Sequence, residues 1–179
     1  MATDKVQDLI NQNVAYAKAD YTPPPLNFSL LRTLPRGAMT VIISCFDPRA
    51  IPEQYFGLKP GQQIPPVIRV AGGRAKDTLK SLLIAEYAFG LGDVVIVHHT
   101  DCGMTHMTDA GVKQFFKEQC PHKAAELDAM HFDEIVDGDL KKSVEADVEF
   151  LKGSGYFSKE LRVTGMIFDL DTGRVQRIN

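Results

Sequence analysis

VIISCFDPRA, residues 41–50, is a short apolar run that ends in a cysteine, an aspartate, a proline and an arginine. A second run, DVVIVHHTDC at residues 93–102, is rich in β-branched residues and ends in two histidines and a cysteine. Compact β-branched runs of this length are typical of buried strands. These two runs decide the fold, because each predicts a strand whose carboxyl end carries reactive side chains.

The rest of the chain alternates between strand and helix patterns. Strands are predicted at Met39–Phe46, Pro66–Ala71, Val94–His98 and Leu161–Leu170, after which Asp171-Thr172-Gly173 turns the chain into VQRI. Helices are predicted at residues 76–89 and near 110–119, 122–130 and 139–152. Such alternation predicts an α/β domain with a mainly parallel central sheet flanked by helices.

The N-terminal segment is predicted to be a helical arm. Apolar residues recur at helical spacing from Thr3 to Lys18, which predicts an amphipathic helix. Three prolines at positions 23–25 predict an extended linker, because proline fixes φ and disfavours helix at the residue before it. We therefore treat residues 1–22 as the arm and 26–179 as one domain. The helix packs either on its own core or on a partner chain.

Composition narrows the class of protein. With 179 residues, the chain is long enough for one domain with a real core, and its 44% hydrophobic content is ordinary for a globular protein. A net charge of -3 without a basic run argues against binding to nucleic acid or anionic membranes. No apolar stretch approaches the ~20 residues that span a bilayer, and the polar N-terminus does not look like a secretory signal. An odd number of cysteines, three, favours thiols or metal ligands in the cytoplasm over disulfides.

The reactive side chains fall where α/β sheets place their sites, beyond the carboxyl ends of the strands. If the two strands are adjacent, Cys45, His99 and Cys102 come together, a set that suits zinc and leaves a fourth position for water. Asp47 and Arg49 share one side of the extended segment with Cys45, so an ionised carboxylate would face the metal. Each feature also has an ordinary structural interpretation: buried cysteines are commonly inert, and a surface Asp–Arg pair contributes ~0–1 kcal/mol.

These residues resemble the signature of the β-class carbonic anhydrases, Cys-x-Asp-x-Arg followed by His-x-x-Cys-Gly, from about Val41 to Met104. Val67–Gly73 is similar to the R-N-A-G-G segment of that family. The helix that contains Ser81 and Leu82, before HHTDCGM, resembles a short microbial branch that also contains carbonyl sulfide hydrolases. The resemblance implies zinc as the cofactor and a homodimer or higher even oligomer, in which the N-terminal helix embraces the partner.

The resemblance also implies roles for single residues. It assigns zinc to Cys45, His99 and Cys102, and the catalytic dyad to Asp47 and Arg49, although in some relatives the aspartate binds the metal instead. Further candidates are a substrate pocket of Pro48, Arg69, Gly72 and Gly103 and a proton shuttle at His106. His98 should point away from His99 because side chains alternate along a strand, and Cys120 is expected to be a spectator.

Two departures from the family pattern concern the site. Pro48 stands where the family usually has a small residue, and Val70 replaces a frequent asparagine. Proline lacks a backbone donor and restricts the preceding residue, so it either presets the Asp47 carboxylate or narrows the entrance.

The leading functional hypothesis is zinc-dependent hydration of carbon dioxide, and the second is hydrolysis of carbonyl sulfide at the same site. Two other hypotheses are a weakly active or non-catalytic zinc protein and a thiol enzyme that uses Cys45 or Cys102 with His99. A dinucleotide-binding domain is disfavoured, because AGGRA does not supply G-x-G-x-x-G after a strand.

Overall fold

The computed structural model describes residues 5–21, 29, 32–59, 65–135 and 138–179. Its central sheet has five strands, β1 (Met39–Cys45), β2 (Val67–Val70), β3 (Leu91–His99), β4 (Arg162–Phe168) and β5 (Val175–Arg177). The strand order is β2-β1-β3-β4-β5. Every pair is parallel except β4 with β5. The prediction of an α/β domain with a mainly parallel sheet is therefore confirmed.

The helices are α1 (Lys5–Ala19), α2 (Pro52–Tyr55), α3 (Ala75–Phe89), α4 (Asp109–Gln119), α5 (Ala124–Ala129) and α6 (Leu140–Gly153). Short 3-10 turns occur at Ala71–Gly73, Gly103–His106 and Pro121–Lys123. The short α2 was not predicted from the sequence. None of the helices in the described part of the chain is long and apolar enough to cross a membrane.

The start of β3 differs from the prediction. The strand begins at Leu91, three residues before the predicted Val94. Gly90 alone ends α3, since its φ of 74° allows the backbone to leave the helix. Gly92 already lies in the strand, where a Cβ atom would collide with the carbonyl of Gly37. The glycine pair thus marks a close backbone contact as well as a helix end.

Two apolar layers fix the strands from opposite faces. On one face, Val41 and Ile43 of β1 pack with buried residues of β3, α3 and α6. On the other face, Ile42 packs with Val97 and Phe168, and the ring of Tyr55 stacks on Phe168 at 4.2 Å between centroids. Burying one such large side chain contributes roughly 1.5–3 kcal/mol. This core holds the carboxyl ends of β1 and β3 in register, and those ends carry the site.

The N-terminal helix α1 forms close to the predicted range, but it has no buried residue. The apolar stripe predicted from the sequence is exposed, with Val6 and Leu9 each at 64% of their maximal accessibility. Packing of this stripe on the core of the same chain, one of the two alternatives, is thus absent among the described residues. Packing on a partner chain stays a prediction, and the proline linker at 23–25 lies outside the described residues.

Candidate zinc site

The carboxyl ends of β1 and β3 bring three potential metal ligands together. The two strands are neighbours, with Ser44 opposite Val97, so the residues that follow them meet at the same edge. The ligand atoms of Cys45, His99 and Cys102 all lie within 4.8 Å of one another, and all three residues are buried. The two sulfur atoms are 3.9 Å apart. The clustering expected from adjacent parallel strands is therefore present.

The protonation of His99 suits a metal ligand. Its Nδ1 donates to the carbonyl of Thr100 at 2.8 Å, which leaves Nε2 as the atom with the lone pair. Nε2 is buried and has no hydrogen-bond partner among the described residues. Leaving a buried polar atom unpaired is costly, so an ion at this position would satisfy it.

The two thiols complete a ligand set that fits zinc. The hydrogen bond with Cys102 lowers the pKa of the Cys45 thiol, and the same contact raises the pKa of Cys102, so the two sulfur atoms share one proton. Metal binding would release that proton, because zinc binds thiolates. Two sulfurs and one imidazole nitrogen match the ligands zinc prefers, and three protein ligands leave one tetrahedral position open.

Beside this cluster, Asp47 is held by a two-pronged contact with Arg49. The Nε and Nη2 atoms of Arg49 donate to Oδ1 and Oδ2 of Asp47 at 3.0 and 2.8 Å. These bonds lower the pKa of Asp47 to about 2, so the carboxylate is ionised at neutral pH. Oδ2 lies 3.9 Å from Nε2 of His99. The structure thus shows the arrangement in which the aspartate pairs with arginine and stands next to the ligand cluster.

Arg49 is itself anchored by Asp101, a residue that sequence reasoning missed. Its Nη1 donates to Oδ2 of Asp101 at 2.7 Å, and its Nη2 donates to the Asp101 carbonyl at 3.0 Å. Asp101 adopts a left-handed conformation with φ of 51°, which the tight turn into Cys102 requires. The available signal was its position inside the HHTDC stretch, between two predicted ligands.

Pro48 occupies the second position of a tight turn. The amide of Ala50 donates to the carbonyl of Asp47 at 3.0 Å, closing a four-residue turn. Proline favours the second position of such turns because its φ is already fixed there. The turn also lets the Arg49 amide donate to Oδ1 of Asp47 at 2.9 Å. Of the two expectations for Pro48, the geometry favours the preset carboxylate.

The pocket role predicted for Arg69 does not match its position. Its guanidinium donates to the carbonyls of Cys45 at 3.0 Å, Asp47 at 2.6 Å and Ala50 at 3.3 Å. These contacts hold the backbone of the turn, and Arg69 is not among the residues that line the adjoining cavity. Arg69 has this role because it lies on β2, on the backbone side of the segment that presents Asp47.

A cavity of about 660 Å³ opens in front of the cluster. Cys45, Asp47 and Cys102 lie in its wall, together with three of the predicted pocket residues, Pro48, Gly72 and Gly103. The remaining wall is mostly apolar, and none of its residues was assigned to the pocket from the sequence. It includes the side chains of Phe46, Met104, Met107, Val112, Met130 and Phe132.

The turn before α3 closes one side of the cavity. Gly73 has a φ of 69°, and a Cβ atom there would lie 3.1 Å from the backbone of Ser44, Cys45 and Val97. Only glycine allows the turn to rest directly on the ends of β1 and β3. Close packing against the strand that carries Cys45 thus explains the glycine at the end of the Val67–Gly73 segment.

The other candidate residues lie away from the cluster. His106 is exposed, sits 3.7 Å from Asp101 and lines a separate surface groove. His98 points to the opposite face of β3, as predicted, where its Nε2 donates to the buried Asp147 at 3.0 Å. Asp147 also forms an ion pair with Arg74 at 3.3 Å. Cys120 is half-buried at the end of α4, and its role stays a prediction.

Known proteins of one family are similar to this chain in sequence and in fold. The sequence profile of the carbonic anhydrase family matches residues 40–175. The β-carbonic anhydrase 1 of Mycobacterium tuberculosis is 26% identical over 172 residues, which cover 96% of both chains. The solved carbonic anhydrase from Glaciozyma antarctica is 30% identical, with a TM-score of 0.83 over 99% of this chain and 100% of that one. The chain therefore belongs to the β-carbonic anhydrase family.

A relative with another named activity has the same sequence identity to this chain. A carbon disulfide hydrolase from Acidianus sp. is 26% identical over 168 residues, which cover 83% of this chain and 81% of that protein. That relative is named for an activity on carbon disulfide, a sulfur analogue of carbon dioxide. Family membership by itself does not identify the substrate, which has to be inferred from the chemistry of the cavity.

Proposed function

We propose that this protein is a zinc enzyme that hydrates carbon dioxide reversibly, CO2 + H2O giving HCO3⁻ + H⁺. The observation that carries the proposal is the Asp47 carboxylate, which is fixed by Arg49 and lies 3.9 Å from the unpartnered nitrogen of His99. A carboxylate held this way is a hydrogen-bond acceptor of fixed direction at the edge of a metal site. A purely structural metal site does not require an acceptor of fixed direction.

In this proposal Cys45, His99 and Cys102 hold the metal. Zinc, when bound, lowers the pKa of water from 15.7 toward ~7, so that a hydroxide nucleophile is available near neutral pH. Asp47 accepts the hydrogen of the nucleophile and so aims its lone pair at the substrate carbon. Arg49 keeps the carboxylate ionised and in place, and Asp101 fixes Arg49. The apolar wall receives a linear, uncharged substrate and limits the water around it.

Hydrolysis of carbonyl sulfide or carbon disulfide is the second candidate function. It would consume one water per carbon–sulfur bond and yield carbon dioxide with one or two molecules of hydrogen sulfide. The cavity wall favours it, because it contains three methionines, Met104, Met107 and Met130. Methionine is polarisable and adaptable, which suits a sulfur-containing substrate larger than carbon dioxide. The named activity of the Acidianus relative points in the same direction.

A second copy of the chain is the partner we propose for this site. Helix α1 presents an apolar stripe with no buried residue, and Phe46 beside the cavity is 63% exposed. Light scattering on the purified chain, compared with a variant that lacks residues 1–21, tests for a dimer or a higher even oligomer. A monomeric full chain would contradict this part of the proposal. A cytoplasmic location is proposed from the sequence alone.

One metal-quantified sample can separate the candidate functions. Stopped-flow hydration of carbon dioxide and release of hydrogen sulfide from both sulfur substrates are measured on protein with one zinc per chain. We expect fast hydration that is lost after chelation and restored by zinc. Hydrogen sulfide release without hydration would support the second candidate. Activity that survives chelation would indicate a thiol enzyme, and full zinc without any turnover up to pH 9 would indicate a non-catalytic protein.

A further inference from the structure

The proton released by hydration has to leave the cavity, and the residue predicted to carry it is outside. His106 lines the separate groove and pairs with Asp101. Among the described residues, His131 is the one histidine in the cavity wall besides the ligand cluster. Imidazole is the side chain whose ordinary titration range spans neutral pH, which is what proton transfer needs.

His131 lies on a loop that is fastened to the metal site. The backbone of the next residue, Phe132, donates to Oδ1 of Asp109 at 2.9 Å, and Glu134 accepts from the Asp109 amide at 2.8 Å. Four positions beyond His131, Ile135 is buried in the same apolar cluster as the two cysteines. The backbone at His131 is therefore held at a fixed place on the cavity wall.

The imidazole of His131 reaches solvent as well as the cavity. His131 is exposed to solvent, and its ring makes no hydrogen bond with another described residue. A group that carries protons from a cavity to bulk water has to reach both. A buried imidazole with both nitrogens engaged, such as that of a metal ligand, cannot do this. The fixed backbone and the unpaired ring together meet this requirement.

Charged side chains of both signs lie around His131 at the cavity wall. Asp109 on α4 interacts electrostatically with His131, and Lys113 pairs with Asp109 at 2.7 Å. Two further carboxylates, Asp77 and Asp133, line the cavity, and Lys76 lies 3.5 Å from Asp133.

We propose that His131 transfers the proton of the hydration reaction from the cavity to solvent. This inference rests on the proposed carbon dioxide hydration. One ring nitrogen accepts the proton through water in the cavity, and the other ring nitrogen gives up its own proton to a buffer base. The sum is CO2 + H2O + buffer base giving HCO3⁻ and the protonated buffer, so atoms and charge balance without any other reactant.

The test compares His131→Ala with His106→Ala on zinc-loaded protein. In dilute buffer, H131A should lose roughly tenfold or more in kcat, because proton transfer then limits turnover, while kcat/KM for carbon dioxide is unchanged. Added imidazole should restore kcat of H131A, and H106A should equal the wild type. Equal kcat of H131A and wild type in dilute buffer, or a loss in H106A instead, would overturn the assignment.

A second readout does not depend on turnover. In protein loaded with Co²⁺ instead of Zn²⁺, the paramagnetic metal should broaden the NMR signals of the His131 imidazole more than those of His122, which is not among the cavity residues. The signals are assigned by their loss in His131→Ala and His122→Ala. Broadening of His131 no greater than that of His122 would contradict its place in the metal cavity. Inactive wild-type protein with full zinc would contradict the proposed function instead.

Discussion

His98 and His99 are consecutive residues at the end of β3, yet they face opposite surroundings. On one side, His99 donates through Nδ1 to a backbone carbonyl and leaves Nε2 unpaired beside two thiols. On the other side, His98 donates through Nε2 to Asp147. Its Nδ1 is also buried without a partner among the described residues, but His98 belongs to no cluster of potential metal ligands there. Asp147 in turn pairs with Arg74, which also donates to Ser143. Both imidazoles are completely buried.

The difference lies in what the protein supplies to each ring. On the His98 side, a carboxylate and a guanidinium from other elements balance each other, so the polar groups brace α3 and α6 against β3. On the His99 side the guanidinium of Arg49 is taken up by Asp47 and Asp101, and the cluster of two thiols and an imidazole keeps a buried nitrogen without a partner among the described residues. Two identical side chains thus acquire different roles from their partners, and substitutions on the two sides should have different consequences.

Removal of the His99 imidazole should have the largest effect. His99→Ala removes one of three metal ligands, so we expect zinc content to fall well below one per chain and hydration to fall by roughly 1,000-fold or more. The matched change on the other side, His98→Gln, should leave zinc content near one per folded chain. Metal analysis after dialysis measures both. Full zinc in H99A would show that the two sides do not differ as the geometry indicates.

Asp147 should dominate the stability of the opposite side. Asp147→Asn leaves the buried Arg74 charge uncompensated, and breaking a buried pair of this kind costs about 3–5 kcal/mol. Urea unfolding of the zinc-loaded protein measures this loss. Glu145→Gln on the same helix removes an exposed partner of Lys141 and should change the unfolding free energy little. An equal effect of the two substitutions on the unfolding free energy would mean that the buried network does not stabilise the fold.

The two sides also differ in how far the sequence reveals them. Cys45, Asp47 and Arg49 occupy one short stretch and His99 with Cys102 another, so strand prediction and residue chemistry alone bring them together. Period-two alternation separates His98 from His99 in the same way. These features follow from local sequence because side chains at successive positions of a strand point to opposite faces of the sheet.

Partners that lie far apart in sequence were not predictable. Asp147 is 49 residues from His98 and 73 from Arg74. Its helical spacing from Val144 and Leu151 places it on the buried face of α6, but nothing in the sequence indicates its partners. The cavity wall is contributed by loops and by α4, whose positions depend on packing. His131 became a candidate only when the structure placed its loop at the cavity, whereas His106 had been chosen for its nearness to Cys102 in sequence.

Removal of the Asp47 carboxylate should separate catalysis from metal binding on the His99 side. Asp47→Asn keeps the shape of the side chain but abolishes the anionic acceptor, so we expect zinc to stay bound and kcat to fall by roughly 100-fold. Stopped-flow hydration together with metal analysis measures the two effects separately. Asp133→Asn, a cavity carboxylate without an Arg49-like anchor, is the control and should lose far less. Wild-type activity in D47N would reject the dyad.

Pro48→Ser should give the smallest effect on the His99 side. The proline fixes the second position of the turn that aims Asp47, and replacing a compatible proline costs about 0.4–1 kcal/mol, chiefly by giving the unfolded chain more freedom. The folded turn keeps its hydrogen bond from Ala50 to Asp47 and the three carbonyl contacts of Arg69. We therefore expect a small loss of stability in urea unfolding and a hydration rate within about threefold of the wild type, since most of the effect lies in the unfolded state. A hundredfold change in rate, in either direction, would mean that Pro48 acts on the substrate itself, and the Asp47 turn would then be less firmly held by Arg69 than its contacts indicate.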